Sequence, residues 1–173
     1  FFNQIDGING LATITFIITL FLISLISLML IQFLPIFICM FIYLFFNLRG
    51  KIGIQGEAGS FFMGSIVYVL YKNTFDNFEF IYILVFLGPV LIDITATTVI
   101  RFMYRENLLE GHRNNLYQIL VTKYKDHIRV SVCYGLFQIS IGTIIFTLIN
   151  KLETNLLIML SLGLSSFLFI IFL

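Results

Sequence analysis

Three clusters of polar residues interrupt an otherwise apolar chain, and the first cluster occupies residues 3–11. Within it Asn3, Asp6 and Asn9 recur at spacings of three, which places one acid and two amides in a short segment. Carboxylate and amide oxygens can bind Mg²⁺ or hydroxyl groups, and Gly7 and Gly10 let the backbone turn close to a ligand. The pattern predicts a catalytic or binding loop, with a polar helix cap as the alternative.

The second cluster is QGEAGS at residues 55–60, where Glu57 lies between Gly56 and Gly59. A glycine turn leaves backbone N–H groups free and places an acid beside them. Such a turn can hold a phosphate and Mg²⁺ together. The alternative is a packing or capping device at the start of an apolar helix.

The third cluster spans residues 110–118 and contains His112, Arg113 and Asn115. Arginine can grip a phosphate through two parallel hydrogen bonds, and histidine can donate to a phosphate or move a proton near neutral pH. The alternative is a solvated surface loop. We assign His127, which stands among charged neighbours, to such a surface.

Asp93 differs from these clusters because it lies inside an apolar segment, followed by three threonines. A carboxylate costs several kcal/mol, roughly 2.5 to 3.5 on insertion scales, when it lies deep in a membrane. It should therefore face other helices or lie near the cytoplasmic end, with Arg101 as a candidate partner. Structural anchoring and function are equally good interpretations.

The composition explains which elements must position these residues. Of 173 residues 60% are hydrophobic and only 11% are charged, against about 25% charged in soluble domains. We therefore expect an integral membrane protein and exclude a soluble enzyme. The net charge of +1 provides no general basic field, so nucleic acid is not an expected partner.

Apolar stretches predict an all-α, polytopic transmembrane helix bundle of about six spans, in which residues 1–173 form a single membrane domain. The fourth span is expected to break at Gly88-Pro89. A turn is expected near residues 28–33, although few residues mark it. The predicted spans are 12–28, 30–46, 58–71, 80–100, 130–149 and 156–173.

Charge placement predicts which side of the membrane each loop faces. Eight of the ten Lys and Arg residues fall in the loops 1–11, 47–57 and 101–129, and the other two are Lys72 and Lys151. The positive-inside rule makes the first group cytoplasmic. Within the last loop, apolar residues at spacings of three and four from Leu116 to Ile128 predict an amphipathic helix that rests at the membrane interface.

Four segments resemble the successive motifs of a known membrane family. NQIDGINGLA (3–12), QGEAGS (55–60), PVLIDITATTVIR (89–101) and HRNNLYQIL (112–120) are similar, in order and spacing, to those of the polyprenyl-phosphate N-acetylhexosamine-1-phosphate transferases. This superfamily also contains the phospho-MurNAc-pentapeptide translocase. The last motif looks more like that of the enzymes that initiate O-antigen and capsule synthesis, and the resemblance covers essentially the whole chain.

The resemblance implies a reaction in which a polyprenyl phosphate attacks the β-phosphate of a UDP-N-acetylhexosamine. The products are a polyprenyl-diphospho-sugar and UMP, and Mg²⁺ is required. It also implies a multi-pass protein of the bacterial plasma membrane with a cytoplasmic active face. The expected partners are the sugar nucleotide, the lipid phosphate and the membrane, with a homodimer as a further option.

Carried onto this chain, the resemblance gives each polar residue an expected role. Glu57 stands where the family has a metal-binding Asp, and Asn115 stands where a His is usual. The family's paired acids, found upstream, have no counterpart here. We therefore interpret the chain as the C-terminal half of a transferase, inactive by itself. The expected catalytic residues are Asp6 and Asn3, the Mg²⁺ ligand is Glu57, and the substrate contacts are His112, Arg113, Asn115, Gly56 and Asn9.

Two other hypotheses remain open at this stage. The departures at Glu57 and Asn115 suit a catalytically inactive homologue that serves as a membrane scaffold or binds a lipid phosphate. An unrelated transporter would instead use Asp93 as an ion or proton site.

Overall fold

The computed structural model describes residues 1–27, 30–50, 55–74, 80–108 and 110–148, and in these ranges every regular element is a helix. The all-α prediction is therefore confirmed. The predicted sixth span, 156–173, lies outside the described residues. The helices are α1 (Phe2–Ile5), α2 (Leu11–Ile26), α3 (Leu30–Leu48), α4 (Gly56–Thr74), α5 (Phe80–Phe86), α6 (Gly88–Met103), α7 (Leu116–Tyr124) and α8 (His127–Leu148).

The central element is α2, which packs against α1, α3, α4, α5 and α8. Most of its side chains are buried because it is apolar on every face. Glycines of α8 allow that helix to approach closely: a Cβ at Gly135 would lie 2.6 Å from Cγ2 of Ile14, and one at Gly142 would collide with Leu22. The core thus forms around α2, while α6 and α7 pack on α8.

On the periphery, α3 is apolar but largely exposed. Ile31 is 85% exposed, and Phe41 and Ile42 are each more than half exposed. Among the described residues α3 is the one helix long and apolar enough to cross a membrane, and α2 is a shorter apolar helix. An arrangement of six spans therefore remains a prediction.

Several expected boundaries differ from the observed ones. Residues 30–33 of the predicted turn 28–33 belong to α3, which begins at Leu30, where the predicted second span also begins. The predicted loop 1–11 contains the short helix α1. The break at Gly88-Pro89 is confirmed: α5 ends at Phe86, and Pro89 lies in the first turn of α6, where a missing N–H costs nothing.

The predicted amphipathic helix is shorter than expected. α7 ends at Tyr124 because Lys125 adopts the left-handed conformation with φ 55°, so Ile128 belongs to α8. Leu116, Tyr117 and Leu120 are buried, and α7 packs on α6 and α8. This part of α7 therefore packs against protein, whereas Ile119 and Tyr124 of the predicted apolar face are about half exposed.

Candidate functional site

The first and second clusters meet in the folded chain. Asp6 follows α1, and its Oδ2 accepts a hydrogen bond from the backbone N–H of Gly56 at 3.1 Å. Gly56 opens α4 with φ +60° and leaves open space where a side chain would begin, a conformation that glycine adopts without strain. The expected catalytic acid and the expected phosphate-binding turn are therefore in direct contact.

Two carboxylates consequently lie near the N-terminus of α4. Glu57 occupies the first turn of α4 and is exposed, while Asp6 is half-buried. Burial raises the pKa of the Asp6 carboxyl above its ordinary value, and the hydrogen bond from Gly56 opposes that rise. Both carboxylates are favoured by the positive end of the helix dipole.

Asn9 and the start of α2 are fixed by the end of α3. The N–H of Gly10 donates to Oδ1 of the buried Asn47 at 2.6 Å. The side chain of Asn9 lies against the backbone of Gly50, where an added Cβ would stand 2.8 Å from its Nδ2. Both ends of the predicted loop 47–57 thus contact the first cluster, one through Asn47 and Gly50 and the other through Gly56.

The third cluster reaches the first cluster through Tyr117. This fully buried side chain donates from its hydroxyl to the carbonyl of Gln4 at 2.8 Å and accepts from Nδ2 of Asn115 at 3.2 Å. Burial raises the pKa of the Tyr117 hydroxyl, and the bond from Asn115 opposes this. The start of α7 is therefore bonded to the first cluster.

Asn115 serves α7 in this arrangement. It is buried, caps the helix and forms a capping box with Gln118, whose Oε1 accepts the N–H of Asn115 at 3.3 Å. The structure thus gives the Asn115 side chain a structural role in α7. Its expected contact with the substrate stays a prediction.

Asp93 anchors the same helix. Its Oδ1 accepts the N–H of Leu116 at 2.7 Å, and its Oδ2 accepts the N–H of Tyr117 at 3.0 Å and the hydroxyl of Tyr134 at 2.8 Å. Asp93 is fully buried, so three donors compensate for the removal of its carboxylate from water. The anchoring interpretation is therefore supported by the geometry.

The predicted partnership between Asp93 and Arg101 is wrong. Nε of Arg101 bonds Oε2 of Glu106 at 2.8 Å, and its Nη2 donates to the carbonyls of Asn107 at 2.7 Å and Glu110 at 3.3 Å. Arg101 therefore ties the loop after α6 to the end of that helix.

His112 and Arg113 lie on the loop that precedes α7. Nδ1 of His112 accepts the N–H of Asn114 at 3.3 Å. Burial and the positive charge of Arg101 lower the pKa of His112, while Glu106 opposes them. Arg113 is exposed and forms neither a hydrogen bond nor an ion pair with another described residue, so its guanidinium is free to take an anion.

A groove of about 610 Å³ begins beside the first cluster. Asn3, itself exposed, and Ser60 line it together with mainly aromatic and aliphatic side chains, most of them from α4, α5 and α6. Phe61 and Tyr68 in its wall are 74% and 58% exposed. The groove is therefore open, predominantly apolar and adjacent to the polar residues.

The metal-ligand set is small. Within the described part of the chain no group of three or more His, Cys, Asp or Glu side chains could hold a metal ion. Mg²⁺, however, is usually held by one or two protein carboxylates together with waters and substrate phosphates. Oδ1 of Asp6 and the exposed carboxylate of Glu57 fit that smaller set.

Sequence reasoning missed Asn47 and underestimated Tyr117. Asn47 lies near the end of an apolar helix. A polar amide at such a position indicates a hydrogen-bond partner inside the protein, so the sequence did contain a usable signal. Tyr117 lies inside the fourth segment that carries the resemblance, but no spacing rule points from it to the carbonyl of Gln4.

Comparisons of the chain with protein-family models, with curated proteins and with solved structures gave no match. The geometry of the clusters therefore carries the functional argument.

Proposed function

We propose that this chain supplies part of the active site of a polyprenyl-phosphate N-acetylhexosamine-1-phosphate transferase that initiates a cell-envelope polysaccharide. The observation that carries the proposal is the hydrogen bond between Asp6 Oδ2 and the Gly56 N–H at 3.1 Å. It joins the acid of one cluster to the glycine turn of another across fifty residues. Two further sets of bonds, from Tyr117 to Gln4 and from Asp93 to α7, connect all four segments that carry the resemblance.

The proposed reaction is a phosphoryl transfer. An oxygen of the lipid phosphate forms a bond to the β-phosphorus of the UDP-sugar, and the bond from that phosphorus to the bridging oxygen of UMP breaks. Such reactions depend mainly on positioning and on charge neutralisation. The chain offers an exposed arginine and two carboxylates close to backbone N–H groups, which suits that requirement.

Each group has a defined task in the proposal. Asp6 and Glu57 would hold Mg²⁺, which neutralises charge on the diphosphate. Arg113 binds a phosphate of the sugar nucleotide. His112, whose pKa is lowered, is mostly neutral near pH 7, so with Nδ1 occupied by the Asn114 N–H it presents Nε2–H as a donor.

The groove beside Asn3 supports the lipid side of the proposal. A polyprenyl chain is long and apolar, and the groove wall is formed largely by aromatic and aliphatic side chains of α4 to α6. Asn3 of the first cluster and Ser60 of the second cluster are among the residues that line the groove, so a lipid phosphate bound beside them would lie near both clusters. The exposed apolar face of α3 is consistent with a membrane location.

The test is UMP release by the product of the complete natural reading frame in membranes, with a UDP-N-acetylhexosamine, a polyprenyl phosphate and Mg²⁺. Asp6→Asn and Glu57→Gln should each reduce the rate by about 100-fold or more, the size typical of losing a group that stabilises a transition state. Asp76 lies between the predicted spans 58–71 and 80–100, in a segment that the charge count predicts on the side opposite the three cytoplasmic loops. Asp76→Asn should therefore leave the rate unchanged. No UMP release from the unaltered protein would overturn the proposal.

A catalytically inactive homologue is the second candidate. Asn115 favours it, because this residue is occupied in a helix cap and stands where the family has a His. An inactive homologue would bind polyprenyl phosphate yet release no UMP, even after Glu57→Asp. A gain of UMP release in Glu57→Asp would exclude it.

A further inference from the structure

The first two turns of α8 hold the peptide groups on both sides of Asn9. The N–H of Asn9 donates to Nδ1 of His127 at 3.3 Å, and the carbonyl of Asn9 accepts the hydroxyl of Ser131 at 2.8 Å. These contacts span 118 and 122 residues of sequence. His127 is exposed, as the sequence predicted, and its ring also contacts the first cluster directly.

The position of His127 is fixed by its own helix. Asp126 caps α8 by accepting the N–H of Arg129 at 3.0 Å, and His127 is the first helical residue. Ser131 lies one turn further along the same face and is fully buried. Two residues of one rigid helix thus hold Asn9. A third contact comes from Asn47 of α3, which accepts the Gly10 N–H of the same peptide group as the Asn9 carbonyl.

The direction of the hydrogen bond specifies the chemical form of the imidazole. Nδ1 can accept from Asn9 only when it carries no hydrogen, so the hydrogen of the neutral ring resides on Nε2. An asparagine side chain places its Oδ1 close to the position of histidine Nδ1, whereas a glutamine places its amide near Nε2. The acceptor can therefore be kept or moved by substitution.

We propose that His127 is a positioning residue of the candidate site, which sets the place of Asn9 relative to the sugar nucleotide by accepting its backbone N–H. The inference rests on the proposed function, because Asn9 is an expected substrate contact. His127 acts on the substrate only through Asn9. Its loss should therefore weaken the binding of UDP-N-acetylhexosamine more than it slows the reaction of bound substrate.

The experiment compares His127→Asn, His127→Gln and His127→Ala in the product of the complete natural reading frame. Amide hydrogen exchange at Asn9 reports the contact, and UMP release reports kcat and KM. We expect His127→Asn to retain slow exchange and a nearly normal KM. His127→Gln and His127→Ala should exchange faster at Asn9 and raise KM for the sugar nucleotide by about tenfold, the lower range for outer-shell partners, with kcat within about twofold.

Arg129→Gln is the matched control. The Arg129 side chain is exposed and lies over the Tyr124 ring at 5.5 Å, so this change should alter neither Asn9 exchange nor KM. Unchanged exchange in His127→Ala would overturn the contact. Faster exchange with an unchanged KM would overturn the positioning role. A lack of UMP release from the unaltered protein would instead count against the proposed function and the kinetic role together, while the exchange rates would still decide the contact.

Discussion

Asp6 and Gly56 are joined by a hydrogen bond of 3.1 Å, in which the backbone N–H at the start of α4 donates to the carboxylate that follows α1. The bond requires the backbone of Gly56 to point its N–H toward Asp6, and the φ of +60° at Gly56 provides that orientation. The geometry of this turn is therefore as important to the candidate site as the acid itself.

Gly56→Ala should lower the free energy of unfolding by about 1 to 2 kcal/mol, because a Cβ is disfavoured at this φ even though open space surrounds it. Gly56→Asn should cost less, since asparagine tolerates the left-handed region. Thermal unfolding in detergent measures both changes. Gly111→Ala is the control, because Gly111 has open space and no positive φ. Equal losses at the two glycines would contradict the strained turn.

Tyr117→Phe should destabilise the protein by about 1 to 3 kcal/mol. The change keeps the buried ring but removes the hydroxyl that serves the carbonyl of Gln4 and the amide of Asn115, and a buried polar group without a partner carries a cost of that size. Tyr124→Phe provides the comparison, because Tyr124 is 48% exposed and should shift stability by less than about 0.5 kcal/mol. Chemical unfolding of both variants decides whether the Tyr117 hydroxyl contributes as the geometry indicates.

Asp93→Asn should be among the more damaging single changes in α6, with a loss of about 1 to 3 kcal/mol. One carboxylate oxygen is replaced by an NH₂ group, which then faces donors from α7 and Tyr134. Tyr134→Phe should cost less, and the double variant should lose less than the sum, because the two residues share one network. Thr95→Ala is the control, since Thr95 is exposed and bonds only carbonyls of its own helix. Strict additivity would contradict a shared network.

His112 should titrate below the ordinary histidine value of about 6.5, because burial and Arg101 lower its pKa. Since the folded state then binds fewer protons than the unfolded state, His112 should reduce stability as the pH falls through 6.5 toward its folded pKa. NMR of histidine ring carbons measures this directly. The chain has two histidines, so the spectrum of His112→Asn assigns the signals. A midpoint above 6.5 would contradict the described surroundings.

The helices and the clusters could be read locally. Long apolar stretches predicted the all-helical fold, and Gly88-Pro89 marked the break between α5 and α6, since both signals depend on residues close in sequence. The end of α7 was missed because the apolar spacing continues to Ile128 while Lys125 turns the backbone left-handed. Spacing describes side chains and does not report that turn.

The partners of the polar residues could not be read in this way. A carboxylate inside an apolar segment needs a partner, and Arg101 was the nearest cation in the sequence to Asp93. The observed partners are instead backbone N–H groups of α7 and the hydroxyl of Tyr134. Backbone donors exist at almost every position and leave no mark in a sequence. His127 does lie on the surface, as predicted. Its contact with the first cluster was missed for the same reason, since the donor is the backbone N–H of Asn9.

By itself, therefore, the sequence determined which residues could do chemistry, that the elements between them are helices and where most of those helices lie, because residue type and periodicity act over a few neighbours. The tertiary structure alone decided that Asp6 meets Gly56, that Tyr117 meets Gln4 and that His127 meets Asn9. These contacts join residues from 50 to 118 positions apart. They depend on how α1, α4 and α8 pack around α2 and on how α7 packs on α6 and α8, which no local pattern contains.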